Sequence, residues 1–236
     1  MPSHVPVLPE AVRSLLAPAP FAGWLVDGTV GAGGHAASLL AAAAGPYARP
    51  LCFYCGNGNN GGDGFVAARA LALDGFHPLV FFAGKAETLP APAARAFSEL
   101  NAAGVPVFPV PPDGSFLPPP GGLAVDCLLG SGAHGPLRGT VRRVVEALRE
   151  TASPRRLAVA CDIPTGLDAE TGGLAEDGVY LPSDLCVTMA RPFPAMLSPA
   201  ARDVCGSLRV ADIGLADGAL AAAECGPALL TAGALA

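Results

Sequence analysis

The stretch Leu51–Leu73, which reads LCFYCGNGNNGGDGFVAARALAL, decides the fold class. Its apolar start, Leu51–Tyr54, predicts a buried strand, and its Ala-rich end predicts a helix over Asp63–Leu73. Between them, Cys55–Gly64 is rich in glycine and asparagine. Glycine permits positive φ and lets a ligand approach the main chain, and the amide groups at a helix start attract an anion. The stretch therefore predicts a phosphate-binding loop at a strand-to-helix junction.

Short apolar runs alternate with Ala-rich stretches along the rest of the chain. This is the pattern of strands joined by crossover helices, and it predicts an α/β fold around a mostly parallel sheet. The segment Pro109–Gly122 holds six prolines, and we expect a surface loop there because proline supports neither a helix interior nor a sheet ladder. We expect further strands at Trp24–Val26, Pro78–Phe82, Val105–Val110, Leu123–Leu128, Leu157–Cys161, Leu185–Met189 and Ser207–Ala211, and further helices at Ala91–Ala103 and Leu137–Glu150.

The composition limits the classes of function. Hydrophobic residues make up 51% of the 236 residues and charged residues 14%, which excludes a charge-rich disordered chain. The net charge of −6 disfavours a general nucleic-acid binder, because such proteins use a basic face to replace phosphate counterions. No apolar run reaches the roughly 20 residues of a membrane span, and the seven cysteines are scattered. We therefore expect a cytoplasmic protein with reduced thiols.

Two local patterns have ordinary interpretations. Cys52 and Cys55 form a C-x-x-C that could be a redox pair or half of a zinc site, but no second pair or nearby histidine completes it. We interpret both as strand residues. The basic run that includes Arg142, Arg143 and Arg149 is more often a solvated helix face than a nucleotide contact.

Polar residues of the first loop have the chemistry of a ligand site. The side chains of Asn59 and Asn60 offer carbonyl and amide groups that can ligate a cation or hydrogen-bond a ligand. Asp63 can hold ribose hydroxyls, although it is also a common residue at a helix N-cap. So dense a run of Gly and Asn after an apolar strand is far more specific than a single G-x-G-x-x-G motif.

Two later strands also end in acidic residues and turns. Asp126 lies inside an apolar strand, where a carboxylate is costly unless it is paired, bound to a cation or shifted in pKa. The glycine-rich segment 130–136 follows it. Asp162 and Thr165 follow the next strand, where they either contact a ligand or only stabilise a turn. Since open α/β sheets bind ligands at the carboxyl ends of their strands, we expect these loops to face one crevice.

Four motifs together resemble a known family. They are CGNGNNGGDGFVAARALALDG, LAVDCLLGSG with PLRG, VACDIPTGLDAETG and CGSLRVADIGLA, and in sequence, order and spacing they resemble the NAD(P)H-hydrate epimerase family, the YjeF N-terminal domain, over residues 51–215. The resemblance implies a three-layer α/β/α sandwich with a Rossmann-like sheet. It also implies an isomerase that interconverts the R and S forms of hydrated NADH and NADPH, so that a separate dehydratase can repair them.

The resemblance further implies which residues form the site. Potassium would be ligated by Asn60, Asp126 and Thr165. Asp126 is also our candidate for the catalytic acid/base, because opening and reclosing the hydrated carbon requires proton transfer. A homodimer is expected from the family. The substrate would be bound by Asn59, Asn60, Gly61, Gly62, Asp63, Gly130, Ser131, Gly132, Ala133, His134, Gly135, Pro136 and Asp162.

Two positions depart from the family pattern. Thr165 stands where the family usually has serine, a change that keeps the hydroxyl. Phe193 stands where the family has a lysine after the strand that ends near Thr188, and Arg191 is the nearby residue that could replace the positive charge. Without that charge, the chain could instead be a catalytically silent nucleotide-binding or interaction module.

The N-terminal residues follow another pattern. HVPVLPEAVRSLLAP and WLVDGTVGAGGHAASLL resemble the start of the ribosomal RNA small-subunit methyltransferase H (MraW) family, which methylates a cytosine amino nitrogen with S-adenosylmethionine. The acidic residue that would grip the ribose is missing after the second strand, at Phe53–Cys55, so we interpret Gly31–His35 as scaffold rather than a cofactor loop. An rRNA methyltransferase is the alternative function. We expect a methyltransferase-like segment at 1–45, the epimerase domain at 46–218 and a tail or linker at 219–236.

Overall fold

The computed structural model describes residues 50–211 except 114, 155, 176 and 190. In this part of the chain seven strands form one sheet, and every strand pair is parallel. The strands are β1 Leu51–Cys55, β2 Pro78–Phe82, β3 Val107–Pro109, β4 Gly122–Cys127, β5 Arg156–Cys161, β6 Leu185–Met189 and β7 Ser207–Ala211; the helices are α1 Asn59–Leu73, α2 Ala91–Ala102, α3 Gly139–Glu150 and α4 Pro199–Cys205. Short 3-10 helices cover Ala86–Thr88 and Pro194–Leu197.

The strand order is β3-β2-β1-β4-β5-β6-β7. The chain therefore moves outward from β1 to β3, returns to the other side of β1, and moves outward again to β7. Tyr54 lies opposite Asp126, and Asp126 lies opposite Ala160, so the carboxyl ends of β1, β4 and β5 are nearly level. At such a switch in direction the loops after the two central strands diverge and leave a crevice. The predicted α/β fold and the position of its ligand crevice are thus explained by one topology.

Helices cover both faces of the sheet, which confirms the three-layer sandwich. On one face, Phe53 and Val125 pack in a core with Phe65 and Leu71 of α1 and Leu100 of α2. On the other face, Cys52 and Ala124 pack against α3, and Ala160 and Cys186 pack against α4. Each large apolar side chain that is fully buried contributes roughly 1.5–3 kcal/mol. Burial on both faces explains why the strands are nearly continuous apolar runs.

The amphipathic helix α3 shows what the basic run does. Val141, Val144, Val145 and Leu148 follow the i, i+3, i+4, i+7 spacing and pack against the sheet. On the opposite side Arg142 forms ion pairs with Glu146 and Asp177. Arg149 donates to the carbonyl oxygens of Gly178 and Tyr180 and lies over the Tyr180 ring. These arginines fasten the segment before β6 to α3, so the run is a structural feature of the helix surface.

Several element boundaries differ from the sequence-based expectations. Helix α1 begins at Asn59 instead of Asp63, and its N-cap is Gly58, so Asp63 is not the cap. Strand β3 is shorter than Val105–Val110, and it begins directly after Pro106, which has no N–H to donate to a ladder. Helix α3 begins at Gly139, two residues later than expected. The seven-residue helix α4 was not expected at all, although Ser198 accepts a hydrogen bond from the Ala201 amide as an N-cap and Pro199 follows it.

The C-x-x-C residues lie on opposite faces of the sheet. Cys55 belongs to the core under α1, whereas Cys52 belongs to the core under α3. Burial raises the pKa of the Cys52 thiol to about 11. All cysteines among the described residues are free thiols, which confirms the interpretation of these two as strand residues. The expected strand Trp24–Val26 and the expected segments 1–45 and 219–236 lie outside the described residues.

Within residues 50–211, no helix is both long enough and apolar enough to cross a membrane.

Candidate functional site

A cleft of about 440 Å³ opens at the carboxyl ends of β1, β4 and β5; we call it the central cleft. It lies at the switch in strand direction, as expected for an open α/β sheet. Gly58, Leu129 and Met189, which sequence reasoning did not select, also line it. The substrate-binding residues expected from the sequence that line it are Asn59, Asn60, Asp63, Gly130, Ser131, Gly132, Ala133 and Asp162.

Asp126 and Thr165 form a fully buried polar pair that does not line this cleft; Thr165 lines the neighbouring larger pocket described below. Asp126 is 2% exposed and Thr165 is 0% exposed. The Thr165 hydroxyl donates to Asp126 Oδ1 at 2.8 Å, and the Thr165 amide donates to Oδ2 at 2.9 Å. The amide of Leu128 donates to Oδ1 at 3.1 Å. The carboxylate that sequence analysis found inside an apolar strand is thus held by three donors, which offset the cost of burying it.

Asn60 joins this pair through the main chain of Leu129. Its Nδ2 donates to the Leu129 carbonyl oxygen at 2.8 Å, and the Leu129 amide donates to Thr165 Oγ1 at 3.2 Å. Asn60 is 7% exposed, and its Oδ1 is buried without a hydrogen-bond partner. A buried carbonyl oxygen without a donor costs roughly 1–3 kcal/mol, so this atom indicates a missing ligand. We call Asn60, Asp126 and Thr165 the buried polar cluster.

Burial raises the pKa of Asp126 to about 6, although the hydrogen bonds from Thr165 and Leu128 lower it in part. The charged carboxylate is therefore costly near neutral pH, and a nearby cation would favour it. Carboxylate, amide and hydroxyl oxygens are the ligands that hard cations prefer. Within the described part of the chain, no group of three or more His, Cys, Asp and Glu side chains could hold a metal ion. The oxygen donors of the buried polar cluster therefore suit a hard cation better than a transition metal.

Asp162 holds an unusual backbone conformation at the edge of the cleft. Its φ is 66°, and it is the one described residue other than glycine with a positive φ. Its amide donates to the Val187 carbonyl oxygen, which fixes the turn after β5. Burial raises the pKa of its carboxyl group, while hydrogen bonds from Met189 and Ser131 lower it in part. The strained turn directs this carboxylate towards the loop after β4, where it anchors Ser131.

Four of the five glycines of the first loop are packed against protein atoms, and Gly58 is the exception. A Cβ at Gly56 would lie 1.8 Å from the Leu128 carbonyl oxygen, and one at Gly61 would lie 2.0 Å from the Gly56 carbonyl oxygen. A Cβ at Gly62 would lie 3.0 Å from Ala93 Cβ. None of the loop glycines has a positive φ, contrary to our expectation. They are required for the close approach of α1 to β4 and α2, and a substrate contact for Gly61 and Gly62 stays a prediction.

The end of the second loop faces a different space. His134, Gly135 and Pro136 line a pocket of about 720 Å³ between this loop and residues 163–175; we call it the side pocket. His134 Nδ1 lies 2.9 Å from Asp168 Oδ2 on the other wall. The hydrogen bond and charge of Asp168 raise the pKa of His134, and His134 in turn lowers the pKa of Asp168. Sequence reasoning had placed all of residues 130–136 on one ligand crevice, whereas the loop separates two.

Phe193 and Arg191, which follow β6, have different roles in this structure. Phe193 packs against the apolar cluster that contains Ile163 and Met196. Arg191 is exposed, and its amide donates to the carbonyl oxygen of Met189 at 2.7 Å. Since Met189 lines the central cleft, Arg191 lies two residues from its rim. Phe193 therefore contributes to packing, and the positive charge nearest to this part of the cleft in the sequence is Arg191.

Comparison with known proteins agrees with this fold. The crystal structure of the yeast protein YNL200c superimposes with a TM-score of 0.53 at 22% identity, covering 80% of this chain and 72% of that one. The bifunctional NAD(P)H-hydrate repair enzyme Nnr of Coxiella burnetii is 32% identical over 184 residues, 78% of this chain and 36% of that protein. This chain thus spans about a third of the length of the bifunctional relatives that it matches.

A shorter relative and a family model match more completely. The NAD(P)H-hydrate epimerase of Pirellula staleyi is 34% identical over 176 residues, 71% of this chain and 74% of that protein. The family model described as YjeF-related protein N-terminus matches residues 30–195. This range overlaps the expected methyltransferase-like segment 1–45, and the matches do not support a methyltransferase resemblance there. The family model thus covers more than half of the chain, and the match to the Pirellula protein covers more than two thirds of both proteins. The chain therefore belongs to the YjeF-related protein N-terminus family.

Proposed function

We propose that this protein is an NAD(P)H-hydrate epimerase, an isomerase that interconverts the R and S forms of hydrated NADH and NADPH in nucleotide repair. The observation that supports this most strongly is the buried polar cluster, where Asn60 and Thr165 meet at the main chain of Leu129 beside the central cleft. Relatives that are named NAD(P)H-hydrate epimerase, from Pirellula staleyi and Rhodopirellula baltica, cover two thirds or more of this chain. A polar cleft at the sheet switch point suits a nucleotide substrate.

The central cleft offers suitable groups for a hydrated nicotinamide nucleotide. Asp63 and Asp162 can accept hydrogen bonds from hydroxyl and carboxamide groups. Ser131 and Gly132 supply main-chain amides that can donate to phosphate oxygens. The substrate-binding role of these residues is part of the proposal.

Potassium is the cation that we propose for the buried polar cluster. The unpartnered Oδ1 of Asn60, the Asp126 carboxylate and the Thr165 oxygens would hold it. When bound, the ion supplies positive charge that favours the ionised form of Asp126. Asn60 Oδ1 gains the partner that the protein does not provide.

Asp126 is our proposed acid/base for the epimerisation. The Thr165 hydroxyl, which donates to Oδ1, is buried together with this carboxylate, so we propose that substrate reaches the pair from the side pocket, which Thr165 lines. Without a cation the pKa of Asp126 is about 6, and a bound cation would lower it, so the ionised carboxylate is the form that would accept the proton. General acid–base catalysis by one group contributes a factor of roughly 10²–10⁴ in rate.

The test is the rate at which a purified S/R mixture of hydrated NADPH equilibrates, with potassium or with choline as the monovalent cation. We expect the wild-type protein to be active, and Asp126→Asn to lower the rate by roughly 10²–10⁴. Asp113→Asn, on an exposed loop, is the matched control and should leave the rate unchanged. Asp126→Asn at the wild-type rate would remove Asp126 from the mechanism. An inactive wild-type protein that still binds NADP would support the silent module instead.

Potassium binding has a readout that does not need activity. Potassium should raise the melting temperature of the wild-type protein but not that of Asn60→Ala, because binding to the folded state stabilises it. An equal shift in both proteins would contradict the assignment of Asn60.

A homodimer and a separate dehydratase as pathway partner are further proposals, which rest on the family resemblance. Binding of S-adenosylmethionine in place of NADP would favour the methyltransferase alternative.

A further inference from the structure

Asp168 is held in a fixed orientation on one wall of the side pocket. Its Oδ1 accepts from the amides of Glu170 and Thr171, at 3.0 Å and 2.8 Å, and from the Thr171 hydroxyl at 3.0 Å. Its own amide donates to the Gly173 carbonyl oxygen at 2.9 Å. Three donors thus occupy Oδ1, while Oδ2 lies 2.9 Å from His134 Nδ1. The loop after β5 therefore presents one carboxylate oxygen to one imidazole ring.

This contact fixes which ring nitrogen of His134 can meet a ligand. The pKa of Asp168 is lowered, chiefly by His134, so its carboxylate is ionised and can only accept. His134 Nδ1 therefore carries the hydrogen of this bond, and Nε2 is the nitrogen that gains or loses a proton. No other residue in the described part of the chain forms a hydrogen bond or ion pair with this ring, which lines the side pocket. An aspartate at Nδ1 is the arrangement that orients catalytic histidines in many enzymes.

The buried pair of Asp126 and Thr165 borders the same space. Thr165 and His134 both line the side pocket, and the Thr165 hydroxyl donates to Asp126 Oδ1 at 2.8 Å. The volume of about 720 Å³ is within the range of roughly 300–1,000 Å³ that is typical of small-molecule sites. Ionised Asp126 can accept a proton and has none to give, whereas a protonated His134 has one. A proton acceptor and a proton donor thus belong to one pocket.

The epimerisation needs both functions. Hydration of the nicotinamide ring places the hydroxyl on the carbon bonded to the ring nitrogen, and this carbon changes configuration if its C–N bond opens and closes again. Opening removes the hydroxyl proton, converts the C–O bond to C=O and leaves the electron pair of the broken C–N bond on the nitrogen. That nitrogen then takes up a proton. Closing reverses each step, so no atom is lost and no oxidant is needed.

We propose that His134 is the second acid/base of the epimerisation: its Nε2 donates a proton to the ring nitrogen as the ring opens, and takes it back as the ring closes. Asp126 accepts the hydroxyl proton and returns it. Between these steps, rotation about the C–C bond beside the new carbonyl group turns its other face to the nitrogen. Asp168 is a positioning residue, because it acts through His134. This inference rests on the proposed function, and it gives His134 a role beyond binding the substrate.

The charges around His134 favour its protonated form. The hydrogen bond with Asp168 is the main reason why the pKa of His134 lies above the ordinary 6.5, and Glu170 raises it further. Arg138, which also lines the pocket, is the opposing positive charge. If the protonated ring is the donor, the rate falls as the pH rises through this raised pKa. Removing the charge of Asp168 then moves the fall to lower pH.

The test is the pH dependence of kcat and KM for hydrated NADPH in the wild-type protein, His134→Gln, Asp168→Asn and Asp113→Asn. We expect His134→Gln to lower kcat roughly 10²-fold with KM unchanged, because glutamine forms hydrogen bonds but does not titrate. In Asp168→Asn the fall in rate at high pH should move down towards 6.5. Asp113→Asn, on an exposed loop, is the matched control and should keep the wild-type profile.

The outcomes separate this inference from the proposed function. A raised KM with unchanged kcat in His134→Gln would show that His134 only binds the substrate, and would overturn the inference. A fall at high pH that stays in place in Asp168→Asn would overturn it as well. In both cases an epimerisation that depends on Asp126 would stand. A wild-type protein that binds NADP without epimerising hydrated NADPH would overturn the proposed function, and this inference with it.

Discussion

The two glycine-rich loops that face each other across the central cleft are similar in composition and different in physical role. In the first loop, Gly56 and Gly61 have no room for a Cβ, which would lie 1.8 Å and 2.0 Å from main-chain oxygens. In the second loop, a Cβ at Gly132 or Gly135 would meet no atom within 4 Å. Each loop has one exception: a Cβ at Gly58 of the first loop would meet no atom within 4 Å, and one at Gly130 of the second would lie 3.2 Å from Asn60 Cβ.

This difference teaches how a glycine-rich motif should be interpreted. Glycine content predicted two loops at the carboxyl edge of the sheet, and both are there. It did not predict that the first loop starts a helix packed tightly on β4 and α2, or that the second separates two pockets. Positive φ occurs at Gly135 of the second loop and at no glycine of the first. Gly56 and Gly61 of the first loop are therefore scaffold, whereas the main chain at Gly132 of the second is open.

The largest expected effect comes from filling the space at Gly61. In Gly61→Ala the new Cβ, which is bonded directly to the Cα and has no rotamer, would lie 2.0 Å from the main-chain carbonyl oxygen of Gly56. We expect a loss of unfolding free energy of roughly 3–5 kcal/mol, or failure to fold. Urea denaturation monitored by circular dichroism measures this.

Gly132→Ala is the matched control in the second loop. Because its Cβ would meet no atom within 4 Å, the unfolding free energy should change by less than about 0.5 kcal/mol. Equal urea midpoints for Gly61→Ala and Gly132→Ala would show that the two loops do not differ as described. If Gly132→Ala instead weakens NADP binding without loss of stability, the open space in the second loop belongs to the ligand.

Much of the fold could be predicted because its strands are buried on both faces. The bounds expected for β2, β6 and β7 are those observed. β2 and β6 are mostly apolar runs, and β7, which contains Ser207 and Arg209, follows the turn residue Gly206. The start of α1 was missed by four residues, because Asn and Gly are poor helix formers and tertiary packing overrides that preference. Helix α4 was missed because a seven-residue helix gives little periodic signal.

The sequence predicted the candidate site only where side chains form it, and not where main-chain groups do. Parallel topology brings Asp126, Asp162 and Thr165 to one edge, as expected from the ends of two neighbouring strands. The hub of the buried polar cluster is the main chain of Leu129, and no sequence pattern marks it because every residue has an amide and a carbonyl group. The division of the edge into two pockets depends on the path of the loop, which composition does not specify.

A smaller effect on the free energy of unfolding is expected at Thr165, where the main chain after β4 joins the buried polar cluster. Thr165→Val removes the hydroxyl that donates to Asp126 Oδ1 and accepts from the Leu129 amide, leaving both without this partner. We expect a loss of roughly 1–3 kcal/mol in unfolding free energy. Thr165→Ser keeps the hydroxyl and removes one methyl group, so about 1 kcal/mol or less is expected. If the serine variant were as destabilised as the valine variant in the same urea titration, packing of the methyl group and not the hydroxyl would hold the loop.

The smallest expected effect is at the rim of the second loop, where His134 and Asp168 join the walls of the side pocket. The hydrogen bond to Asp168 raises the pKa of His134 above its ordinary 6.5, so the ion pair stabilises the fold fully below about pH 6.5 and is lost as the pH rises through the raised value. Asp168 has a lowered pKa, chiefly because of His134, so its contribution is lost as the pH falls through that lowered value. An NMR titration of the His134 ring protons should show a midpoint that moves down towards 6.5 in Asp168→Asn and stays in place in Asp113→Asn. The same His134 midpoint in all three proteins would mean that Asp168 does not bind His134 in solution, and that the second loop is not fastened to the opposite wall of the side pocket.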